Sequence, residues 1–317
     1  MDVQPYRPGL FLFRVRLPLR SGHITLKRTF QTRFKNKIKL HWSLIKSLQT
    51  LLLLMTGLAG FMSSRCPWIN FPILLGVAGS LFLAISGSTV LNMWYDRDID
   101  SLMKRTCWRP LPSGKISPNE TLVFGITLSV LGVGWALVID LLFGFIVFAG
   151  LFFDVVVYTI WLKRRTAWSV VWGGLAGAMP VLAGRALGTG RIEWVGILLA
   201  LAVLSWIPTH ILTFSIRNQE DYKRAGVPTF PSTYSVPTTL RVISASTVIA
   251  AIAMIMAAVG IDITAGQMRL LAVLSSGLIF LAAASMLRPS DKVNFGLFKY
   301  ASLYMLSAML LLAAVVF

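Results

Sequence analysis

The residues best suited to chemistry form one short string, Asn92-Met-Trp-Tyr-Asp96-Arg-Asp98-Ile-Asp100. Asn92, Asp96 and Asp100 are spaced i, i+4, i+8, which puts them on one face of a helix with a drift of about 40° per step. Asp98 points to roughly the opposite side. Oxygen ligands gathered on one face suit a hard cation such as Mg2+, which is commonly held by carboxylates together with substrate phosphates. The same string also reads as a solvated helix end whose acids are neutralised by Arg97 and Lys104. A second string, Arg217-Asn218-Gln-Glu220-Asp221-Tyr-Lys223, repeats the theme, with Asn218 and Asp221 spaced i, i+3. Two such ends facing each other could hold two cations with a diphosphate between them.

Cations follow the acids closely, in Lys104-Arg105-Thr-Cys-Trp-Arg109-Pro and in Lys163-Arg164-Arg165. The preference for basic loops on the inner side of a membrane explains their number. It does not explain why acids and cations share the same loops, whereas an anionic ligand bridged by metal ions does. Two further ionisable residues fall inside apolar stretches: Asp154, one helical turn before Tyr158, and His210, in Trp206-Ile-Pro208-Thr-His210. Each reads either as a packing residue or as a functional one. At membrane depth the functional reading is the default, and a lone acid there needs a partner in the bundle interior.

The elements that must position these residues are legible from composition. Of 317 residues, 56% are apolar and 13% charged, about half the charged share of an ordinary soluble chain. A water-soluble α/β domain is excluded, and an integral membrane protein is predicted. From Trp42 onward, nine apolar stretches approach the roughly 20 residues that cross a bilayer. They cover 43–63, 71–95, 119–139, 141–162, 167–187, 194–216, 238–260, 267–287 and 295–316, with Asp140 the only strong break within 119–162. The expected fold is all-α and polytopic.

The formal net charge of +18 would suggest nucleic acid in a soluble protein. Here it orients the bundle instead: with the N-terminus inside, fourteen Lys/Arg fall in inner loops and four (Arg65, Arg185, Arg191 and Arg269) in outer ones. Residues 1–41 carry ten more cations against the single acid Asp2 and form a separate basic tail ahead of the domain at 42–317. Such a tail suits a negatively charged membrane face. It also resembles a transit peptide, although Ser21 is its only serine where such peptides are Ser-rich. Cys66 and Cys107 lie in no metal-binding spacing and are expected on opposite faces of the membrane. A polytopic transporter is the competing class. Acids at helix ends rather than at breaks in mid-span argue against it.

The string Asn92-x3-Asp96-x-Asp98-x-Asp100-x3-Lys104-Arg105-Thr106-x2-Arg109-Pro110-Leu111-x2-Gly114 resembles the first signature of the UbiA superfamily of intramembrane prenyltransferases. The Arg-Thr-x-x-Arg-Pro-Leu portion is similar to the protoheme IX farnesyltransferase branch. So are Tyr158-Thr159-x2-Leu162-Lys163-Arg164-x-Thr166, Gly173-Gly174-x-Ala176-Gly177-Ala178-x-Pro180, Pro208-x-His210 and Asp221-Tyr222-x2-Ala225-Gly226-x-Pro228-x2-Pro231. The resemblance runs from about Trp42 to the C-terminus. It departs at Met93 and Asn218, where the superfamily often has Asp, whereas Tyr222 is usual for the heme branch.

The resemblance implies a bundle with an intramembrane chamber and transfer of a farnesyl group from farnesyl diphosphate to a vinyl carbon of heme B. It implies Mg2+ arranged around the diphosphate by Asn92, Asp96, Asp100 and Asp221, with Asn218 and Glu220 in support. Lys104, Arg105, Arg109, Lys163 and Arg164 would hold the diphosphate. Tyr158 and Tyr222 are secondary candidates, and His210 is a candidate for placing heme. A quinone or lipid prenyltransferase is the alternative within the superfamily. A downstream heme A synthase or terminal oxidase is implied as the consumer of product. The location implied is the cell membrane, or the mitochondrial inner membrane if the tail is a transit peptide.

Overall fold

The computed structural model describes residues 37–66 and 71–316. Most of the basic tail therefore lies outside the described residues. The chain divides into two compact units, 1–41 and 42–317. In the first, the described residues 37–41 are helical and begin α1 (Lys37–Leu44).

The second unit is a helical bundle. After a break at Ile45 and Lys46 come α2 (Ser47–Met62), α3 (Phe71–Tyr95), the short α4 (Arg97–Leu102), α5 (Pro118–Ile139) and α6 (Leu141–Phe152). The last of these continues as a π-helical segment, Phe153–Leu162. Then follow α7 (Ser169–Thr189), α8 (Trp194–Arg217), the short α9 (Gln219–Arg224) and α10 (Phe230–Thr233), α11 (Val236–Ile261), α12 (Ala265–Leu287) and α13 (Asp291–Ala313). Among the described residues, eight helices are long and apolar enough to cross a membrane, or nine if α1 and α2 form one bent span. The chain is thus a multi-pass membrane protein, as its composition predicts.

Local chemistry sets the helix ends. Ser117 accepts from the Glu120 N–H just ahead of Pro118, capping α5. Asp140 is the break that divides 119–162: its carboxylate accepts from the Phe143 N–H at 2.8 Å and starts α6. Thr264 and Gln267 cap α12 reciprocally. Small residues let the helices approach closely where lipid supplies no hydrophobic drive between them. At the α2–α7 crossing a Cβ on Gly184 would collide with the Gly57 carbonyl, and on α5 a Cβ on Gly132 would collide with the backbone of Ala84.

The larger core packs α7, α8, α11, α12 and α13 around Leu199, Met254, Leu278 and Tyr304. A smaller one joins α2, α3, α5, α6 and α7 around Phe61, Leu81 and Phe143. Val138, Phe145, Val273 and Phe280 point outward, as lipid-facing residues do. Arg185, expected in an outer loop, instead lies buried in α7. It is paired with Glu193 at 2.6 Å and donates to the Ser63 carbonyl, so it joins helices rather than marking a face.

Candidate active site

The acids predicted on one helical face do share it. The helical course passes through the join between α3 and α4, with the Asp96 N–H bonded to the Asn92 carbonyl and the Asp100 N–H to that of Asp96. Asp96 and Asp100 are only 4% and 6% exposed, and Asp221 joins them at 9%. Asp98 faces the other way, its side chain 62% exposed.

Each buried carboxylate has a cationic or amide neighbour. Asp96 accepts from Lys163 through Oδ2, while its Oδ1 is buried without a hydrogen-bond partner. Asp100 pairs with Arg109 at 2.8 Å. Asp98 is gripped through both oxygens by Arg164, at 2.6 and 2.7 Å, and this hydrogen bonding holds its carboxyl below the usual carboxylate range. Burial alone would depress the Lys163 ammonium, but Tyr158 and the Asp96 carboxylate beside it raise it above its ordinary value. Lys163 also sits over the Tyr158 ring, 5.6 Å from its centroid.

The second acidic string arrives differently. Asp221 accepts the backbone N–H groups of Lys104 and Arg105, at 3.1 and 3.3 Å, and so holds the loop that follows the first string. Asn218 donates to the Phe214 carbonyl of its own helix. Glu220 is exposed, 3.7 Å from Lys223. The Arg105 guanidinium lies over the rings of Phe214 and Tyr222, at 5.1 and 5.0 Å, with its Nε buried and unpartnered. Lys104 is exposed.

A cavity opens among these groups. Asp100, Arg105, Tyr158, Lys163 and Tyr222 form its polar wall, and residues such as Met103 and Phe230 line it on the apolar side. Not every predicted residue reaches it. His210 is stacked between Trp206 and Phe298, at 5.1 and 4.5 Å, with Nδ1 3.1 Å from the Ser302 hydroxyl of α13. Trp206 likewise turns to α13 and donates to the Ala301 carbonyl.

Among the described residues, no three His, Cys, Asp or Glu side chains gather as a metal-ligating group. The donor set therefore does not fit a cage made of protein alone. It fits a hard cation shared with a ligand's own oxygens, for which Asp96 Oδ1, without a hydrogen bond and 3.8 Å from Arg164, is a ready donor.

The model of the UbiA prenyltransferase family matches residues 53–305. The chain belongs to that family. Among its relatives is the protoheme IX farnesyltransferase of Archaeoglobus fulgidus, 45% identical over 196 residues that span 62% of this chain and 68% of the relative. The protoheme IX farnesyltransferase of Korarchaeum cryptofilum is 41% identical over 216 residues, covering 68% and 73% of the two chains. Among solved structures, digeranylgeranylglyceryl phosphate synthase superposes with a TM-score of 0.73 at 22% identity, over 89% of this chain and 99% of its own. A UbiA homologue from Archaeoglobus fulgidus bound to GPP and Mg2+ gives 0.65 at 18%, over 86% and 99%.

In this prenyltransferase one cation near the acids escaped the sequence reading. Lys46, in the break before α2, lies within electrostatic reach of Asp96, Asp100, Arg109 and Lys163. Its left-handed backbone, φ 49°, is the local mark of that break. In the sequence it is a lone cation inside an apolar run, and that run reads as a span from residue 43.

Proposed function

We propose that this prenyltransferase joins the farnesyl group of farnesyl diphosphate to a vinyl group of heme B. Several relatives are protoheme IX farnesyltransferases. The observation that carries the proposal in this chain is a cavity lined by Asp100, Arg105 and Lys163, with Asp96 buried against Lys163, Arg109 paired with Asp100 and Asp221 buried against the Arg105 backbone. In the proposed reaction the farnesyl C1–O bond breaks and its electron pair leaves with the diphosphate. The vinyl π-electrons form the new C–C bond to C1. Water then adds to the resulting cation and loses a proton to solvent, giving the hydroxyethylfarnesyl group of heme O.

Lys163, Arg105 and Arg109 hold the diphosphate and balance its charge as it departs, with Lys104 and Arg164 at the rim. Asn92, Asp96 and Asp100 would present the oxygens for Mg2+, while Asp221, turned onto the Lys104 and Arg105 N–H groups, and Asn218, bonded within its own helix, stand behind the site. Bound through the diphosphate, Mg2+ would neutralise the leaving group. Asp221 also keeps the Lys104–Arg109 loop in place. Tyr222 supports that loop by stacking on Arg105, and Glu220 stays at the exposed rim beside Lys223. The apolar wall at Met103 and Phe230 keeps water from the allylic cation until the C–C bond has formed. Tyr158 offers that cation a ring face. His210, on the α13 side of α8, is proposed to help place the heme.

Residues 1–41 are proposed as a basic tail outside the catalytic domain at 42–317. The site is proposed to face the cytoplasm or matrix, with the product passing to a heme A synthase or terminal oxidase. The two free cysteines, Cys66 and Cys107, offer a test of orientation: a membrane-impermeant thiol reagent should reach Cys107 from the inner side only. The function itself is tested by incubating purified protein with heme B, farnesyl diphosphate and Mg2+ and weighing the heme formed. Heme O and released diphosphate are expected. Unchanged heme B, alongside prenylation of a quinone precursor or lipid, would overturn the proposal.

A further inference from the structure

Asp154 lies far along the chain from the acidic strings, yet it is built into the same site. It sits on the π-helical segment Phe153–Leu162, half-buried at membrane depth. Its Oδ2 accepts from the Ser88 hydroxyl and, at 2.8 Å, from the Asn92 amide Nδ2. The other end of that amide is held as well: the Thr159 hydroxyl donates to Asn92 Oδ1 at 2.7 Å. Asn92 is thus gripped at both ends by one helical segment, one turn of α3 ahead of Asp96.

The π-helical turn makes this possible. In an α-helix, residues five apart point about 140° away from each other. The wider π turn closes hydrogen bonds over five residues, seen here between the Lys163 N–H and the Tyr158 carbonyl at 2.8 Å. Residues five apart are then brought to one side. Asp154 and Thr159 reach the same amide, and Tyr158 and Lys163 share the cavity wall. The segment therefore serves two purposes: it delivers Lys163 to Asp96 and fixes Asn92 beside it.

A carboxylate accepts hydrogen bonds and cannot donate them, so the amide side facing it must be the nitrogen. A hydroxyl at the other end donates to the amide oxygen and leaves it a second lone pair. We propose that Asp154 is a positioning residue that locks the Asn92 amide in the orientation presenting Oδ1, rather than Nδ2, to the metal and diphosphate. This rests on the reading that Asn92 serves that site. It also accounts for an acid at membrane depth whose two hydrogen bonds come from neutral donors. Partners of this kind typically alter metal affinity by about tenfold to a hundredfold when removed.

The test is a double-mutant cycle read by binding rather than turnover. Mn2+-dependent binding of farnesyl thiodiphosphate is measured by calorimetry, with bound Mn2+ followed by electron paramagnetic resonance. The unmodified protein, Asp154→Asn, Asn92→Ala and the double variant are compared. Asp154→Asn, which can turn either a donor or an acceptor to Asn92, should weaken binding by about tenfold or more. In the Asn92→Ala background the same substitution should change it by less than about twofold. Unchanged binding in Asp154→Asn, or an equal loss in both backgrounds, would overturn the inference. Should Asp154→Asn not fold, Thr159→Val releases the same amide at its other end and takes its place in the cycle with the same two outcomes. Failure of the unmodified protein to bind farnesyl thiodiphosphate at all would instead sink the underlying functional reading.

Discussion

The two acidic helix ends look alike in sequence and behave differently in the fold. At the end of α3, the carboxylates meet side-chain cations: Asp96 meets Lys163 and Asp100 meets Arg109, and Asp96 retains one oxygen with no hydrogen bond. At the end of α8, Asp221 takes its hydrogen bonds from the backbone N–H groups of Lys104 and Arg105, with the Arg224 guanidinium of its own short helix 3.6 Å away, while Asn218 bonds within its own helix. The first end holds charge ready for a ligand, and the second braces the loop that follows the first. A repeated pattern of Asn and acid thus supports an unequal division of labour. A carboxylate's role depends on which donors reach it.

The comparison can be broken most directly at Asp96. Asp96→Ala should lower turnover by about a thousandfold, because it removes the oxygen that has no hydrogen bond and leaves Lys163 buried without its carboxylate. Trypsin cleavage after Lys104 and Arg105 should not change, and normal turnover in this variant would remove the first end from the chemistry. Asp221→Ala should cost about tenfold to a hundredfold, with faster cleavage at those two sites as the loop loosens. A matching loss with unchanged cleavage and a raised Mg2+ requirement would make Asp221 a ligand of the same kind as Asp96.

Arg105→Lys keeps the charge but loses the planar stack between Phe214 and Tyr222, so KM for farnesyl diphosphate should rise by about tenfold. An unchanged KM would place the diphosphate elsewhere. The smallest effect is expected at Asp98→Asn, under about twofold in turnover, since the pair with Arg164 is exposed and such pairs are worth about 0–1 kcal/mol. Arg164 depresses the Asp98 pKa, so the pair's contribution is complete above the ordinary carboxylate value of about 4. It fades only as pH falls through the lower folded value. Thermal melts of Asp98→Asn and unmodified protein should therefore converge only in strong acid.

Much of this was legible before any fold was known. The spans at 71–95 and 141–162 agree with α3 and with α6 plus its π-helical continuation, because an apolar run of that length bordered by charge has few other states. The ladder Asn92, Asp96, Asp100 followed from helical spacing alone. Lys46 did not, since a single cation inside an apolar run carries no sign of the helix break that turns it toward the acids. The pairing of Asp154 with Asn92 was equally hidden. Counting by an α-helical turn sets Asp154 beside Tyr158, whereas the π turn sets it with Thr159.

The sequence by itself determined where the membrane segments run, which of their ends are charged and which residues can ligate or hold an anion. These are local properties, set by hydrophobic length, helical period and side-chain chemistry. Only the tertiary structure decided which donor meets which carboxylate. Asp221 and Lys104 are 117 positions apart, and Asn92 and Asp154 are 62 apart. Contacts of that range depend on helix crossings, and one of them on a local change of helical pitch that composition does not encode.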